Sequence, residues 1–151
     1  QEYLTVRVAP QLTRRAVALA AERLEECGLV HLAGGAWPEE AWQQLRSDAA
    51  HVLALTPEAQ EGLKRADLRA NRTELFLPFG GASPDPLAAS AVPAVVAAYL
   101  GEAFALDYVS LLSARAGVAG TQALHPDVPF FPRTSLSVHT ALEDIGAAMG
   151  P

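Results

Sequence analysis

Apolar side chains recur at two different spacings along this chain, and the change of spacing divides it. In residues 11–27, Leu12, Ala16, Leu19, Leu24 and Cys27 follow a helical period, so a helix is expected there. Gly28 suits its C-terminal turn, because glycine tolerates positive φ without a Cβ clash. Trp42, Leu45, Ala49, Val52 and Leu53 repeat the pattern after Pro38, with Glu39 and Glu40 at the positive end of the expected helix. Thr56-Pro57-Glu58 reads as a cap that opens a shorter helix to about residue 64. A further helix is expected over 90–100, with Pro93 in its first turn and Gly101 at its end.

Between and after these helices the pattern becomes β-like. Short strands are expected at 3–8, 29–32 and 74–77, and two longer apolar ones at 106–114 and 134–142. Residues 65–72 are charged and polar, and no strand or helix is expected from them. Helices come first and strands follow, which predicts an α+β fold with N-terminal helices packed on a sheet. One domain over residues 1–151 is expected, helical to about 104 and mainly β from about 105.

Charge narrows the function classes. The net charge of -6 argues against partners that need a basic stripe, so neither nucleic acid nor an anionic membrane surface is expected. The apolar run at 88–100 is too short for a membrane span. A single cysteine, Cys27, excludes an internal disulfide framework. It fits an intracellular compartment, cytoplasmic or organellar, and it is expected to pack as a small buried hydrophobe. The chain opens on Gln1 rather than Met, so a missing upstream segment is expected.

The candidate chemistry lies at His125-Pro126-Asp127. Proline holds the preceding residue in extended geometry, and side chains two apart in an extended segment share a side. One imidazole and one carboxylate could then converge on Fe(II), Mn(II) or Zn(II). A second histidine from a distant strand would complete a facial triad, leaving positions open for cosubstrate and dioxygen. The structural alternative is a turn in which Asp127 caps local backbone groups. A zinc hydrolase is disfavoured, since no His-Glu-x-x-His occurs.

These residues resemble a known family. Gly120-Thr-Gln-Ala-Leu-His-Pro-Asp127 resembles the iron motif of phytanoyl-CoA-dioxygenase-like proteins. Residues 135–144 are similar to the strand that follows that motif, and Met149-Gly150-Pro151 to the turn after it. Upstream, residues 24–32 are similar to the opening of these domains. The resemblance implies a double-stranded β-helix, a jelly roll of the cupin kind, incomplete here with its first strands in about 105–151. It implies Fe(II) and 2-oxoglutarate as cofactors, a small-molecule substrate, and His125 and Asp127 as iron ligands. Gln122 and His139 become candidates for the cosubstrate pocket. The chain stops before the family's second histidine and its cosubstrate arginine. A truncated dioxygenase, inactive in this form, is therefore expected, with a completing segment or partner chain on an open sheet edge. The alternative expectation is a non-catalytic interaction or assembly subunit that keeps the fold.

Overall fold

The computed structural model describes residues 2–8, 12–69, 72–77, 86–114 and 134–144. The chain forms two compact units. The first is Gln1–Gln44, Gly81–Ala105 and Phe130–Leu136; the second is Leu45–Gly80, Leu106–Pro129 and Ser137–Pro151.

In the first unit a 3-10 turn, Glu2–Leu4, leads into β1, Thr5–Arg7. Helix α1, Arg14–Cys27, then carries the chain to β2, His31–Ala33. The two strands pair in parallel, Thr5 with His31 and Arg7 with Ala33. A parallel pair needs a crossover rather than a tight turn, and α1 is that crossover. Both ends of α1 are chemically defined. The Thr13 hydroxyl accepts from the Ala16 amide at 3.1 Å, and Gly28 closes the helix at φ 72°. Its inward residues Ala20 and Leu24 join Val6 and Val95 in the core, with Ala16, Leu19, Val30, Leu32, Tyr99 and Leu136 around them. Val95 comes from α4, Val92–Leu100, which packs on α1 and has Pro93 in its first turn. Cys27 corrects the burial expected of it. It is exposed, because beyond Leu24 the end of α1 leaves the core and Glu25, Glu26 and Cys27 all face solvent.

Helix α2, Glu39–Leu53, begins in the first unit and ends in the second. Its last carbonyls, on Val52 and Leu53, accept from the Gln60 side-chain amide at 3.2 and 3.0 Å. Gln60 sits on α3, Pro57–Glu61, whose N-terminus is capped by Thr56. An antiparallel sheet follows, in the order β3 (Lys64–Arg69), β4 (Arg72–Phe76), β5 (Ser110–Ala114). β4 and β5 pair without a break, from Arg72 with Ala114 to Phe76 with Ser110. β3 is irregular, with register shifts between Lys64 and Ala66 and between Asp67 and Arg69. Alternation sends Leu75 and Leu111 to one side of the sheet, where they meet Ala49 and Val52 of α2 together with Leu63, Leu77 and Leu142.

Two expectations on strands need correction. The polar segment after residue 64 is a strand, β3, because Phe76 and its neighbours on β4 supply the hydrogen-bonding edge; the Phe76 amide donates to the Leu63 carbonyl at 2.7 Å. The long strand expected at 134–142 is not formed, and residues 134–144 carry no helix or strand. Alternating apolar residues make a strand only where a ladder partner satisfies the backbone, and among the described residues this segment pairs with none. Instead Leu136 and Leu142 each pack singly into a core, while Val138 is half exposed. The strand expected at 106–114 is shortened to β5, although the Leu77 amide still donates to the Val109 carbonyl at 3.0 Å just before it. Among the described residues, no helix is long and apolar enough to cross a membrane.

Candidate metal centre and the polar cluster beside it in sequence

His125, Asp127 and Gln122 lie outside the described residues. His139 falls in the irregular stretch 134–144 and is exposed. Among the described residues, no group of three or more histidine, cysteine, aspartate or glutamate side chains comes together in a way that could hold a metal. His31 and His51 are exposed, and His31 Nδ1 lies 3.4 Å from the Thr5 hydroxyl oxygen.

The most developed polar arrangement of the second unit is on β4 and β5, upstream of the His-Pro-Asp segment. Glu74 alternates with the core residue Leu75, so its side chain leaves the sheet on the opposite face. It is nevertheless only 7% exposed. Both of its carboxylate oxygens have donors: Arg65 Nη1 gives to Oε2 at 2.7 Å and the Ser110 hydroxyl gives to Oε1 at 2.6 Å. A carboxylate sheltered from water is tolerable only when satisfied in this way. The Arg65 guanidinium also stacks over the Tyr108 ring, 4.1 Å from its centroid, and Phe76 meets the same ring edge to face at 6.1 Å. Hydrogen bonding to Glu74 holds the Arg65 pKa above its ordinary value, so the guanidinium is a permanent cation. The cluster thus ties β3, β4 and β5 together through one side chain.

Sequence reasoning missed it. Arg65, Glu74, Tyr108 and Ser110 are dispersed along the chain, and the one available signal was a lone acid inside the β-rich run Thr73-Glu-Leu-Phe-Leu77. The same unit also has a small cavity of about 170 Å³ lined by Pro57, Gln60, Glu61, Lys64, Thr73 and Leu75. Lys64 and Glu61 bridge at 3.0 Å beside it, so its charges are already paired.

A second polar cluster belongs to the first unit. The Tyr3 hydroxyl donates to Glu26 Oε2 at 2.6 Å, and Arg23 Nη1 reaches the same oxygen at 2.7 Å. Arg23 also donates to the Tyr3 hydroxyl and stacks 3.6 Å from its ring centroid. The Tyr3 bond, then Arg23, lowers the Glu26 pKa, and the bond to Glu26 raises that of Tyr3.

No family model, no curated protein and no solved structure matches this chain.

Proposed function

We propose that the chain is part of an Fe(II)- and 2-oxoglutarate-dependent dioxygenase that hydroxylates a small molecule. The reading is carried by the ordered run from Gly120 through His125 and Asp127 to Met149-Gly150-Pro151. His125 and Asp127 supply one nitrogen and one carboxylate oxygen, a donor set that suits Fe(II) and leaves room for a third protein ligand. When bound, the iron supplies oxidative decarboxylation of the 2-oxo acid coupled to C–H hydroxylation. His125 must be neutral to act as a ligand, so acid competes with the metal. Gln122 is proposed for the wall of the cosubstrate pocket, and His139 would join it only where a completing segment draws residues 134–142 into a strand. An incomplete jelly roll and an intracellular location go with this reading.

The proposal includes a completing strand that pairs along β5. Support comes from the difference between β3 and β5, the outer strands of this sheet among the described residues. β3 contains Lys64, Arg65, Asp67 and Arg69 and has two register shifts, devices that keep other strands away. β5 reads Ser-Leu-Leu-Ser-Ala, without a charge or a proline, and it pairs with β4 in one continuous register.

The test is anaerobic titration of the chain with Fe(II), followed by calorimetry. Weak binding is expected, falling as pH drops through the histidine range, and lost in both His125→Ala and Asp127→Ala. Succinate formation from 2-oxoglutarate is expected to be absent for these 151 residues. Fe(II) binding that survives both substitutions would remove the metal assignment.

A further inference from the structure

We draw no further inference here: the strongest candidate, the half-exposed apolar patch that Phe76, Tyr108 and Leu112 form beside the Glu74 cluster on the three-stranded sheet, has nothing in the structure to show what covers it.

Discussion

The two compact units solve the same problem with different chemistry. In the first, the buried core cluster of Val6, Ala20, Leu24 and Val95 is all apolar, and the polar cluster of Tyr3, Arg23 and Glu26 is a surface feature. In the second, the apolar set Ala49, Val52, Leu75 and Leu111 covers one side of the sheet, while a sheltered carboxylate organises the other. Apolar packing is undirected, so the first unit relies on helix caps and a crossover to place its elements. Hydrogen bonds to Glu74 are directional, so the second unit can hold an irregular strand, β3, in one register.

The largest test of this contrast removes apolar volume from each unit in turn. Leu24→Ala and Leu75→Ala should each cost about 2–5 kcal/mol in urea unfolding, because both side chains are buried and leave cavities. Amide exchange should accelerate mainly in the unit that carries the substitution. Equal acceleration throughout would show that the two units do not unfold separately.

Next in size is the carboxylate. Glu74→Ala strips Arg65 and Ser110 of their acceptor, and about 1–3 kcal/mol of stability should go with it. The value stays below that of a fully buried pair because the Arg65 side chain is 38% exposed. A double-mutant cycle between Glu74→Ala and Ser110→Ala should show coupling; additive effects would mean that the cluster does not act as a unit.

Smaller again is the cap of α1. Thr13→Ala should cost about 1 kcal/mol, since the Ala16 amide loses its acceptor, and Thr13→Ser should restore most of it. Thermal melts of the three proteins give the comparison.

The smallest effect is that of pH on the surface cluster. The folded pKa of Glu26 is lowered from 4.5, so its contribution is present above that value and disappears as pH falls through the folded pKa. Tyr3 is raised from 10.0, so its contribution is present below that value and disappears as pH rises through the folded pKa. Both limbs should be shallow, because the groups face solvent and salt screens them. Tyr3→Phe should flatten both ends of the stability profile, and an unchanged profile would show that the Tyr3 hydroxyl contributes nothing to folding.

What the sequence discloses follows the range of the interactions. Helices α1, α3 and α4 are legible because their signals are local: an apolar period, Thr56 as a cap, Pro93 in a first turn and Gly28 at an end, although the cap of α1 at Thr13 and its start at Arg14 come from the structure. β3 is not legible, because in Lys-Arg-Ala-Asp-Leu-Arg only Ala66 and Leu68 alternate among four charged residues, too short a pattern to mark a strand without its partner β4. Residues 134–142 show the reverse case, an alternation that joins no strand ladder among the described residues. Of the candidate site, the His-Pro-Asp spacing is a sequence signal, whereas His139 drew its role from an expected strand that is not formed. The Glu74 cluster depends on residues up to 45 positions apart, Arg65 to Ser110, which only folding brings together.

Gln60 gives the corner between α2 and α3 a chemical lifetime. One amide nitrogen serves the last two carbonyls of α2, on Val52 and Leu53. Deamidation exchanges that nitrogen for an oxygen, so the donor becomes a charged acceptor facing two carbonyl oxygens at the negative end of a helix dipole. Ageing of a single side chain would therefore turn the clasp of this corner into a repulsion, without altering any residue of the cores.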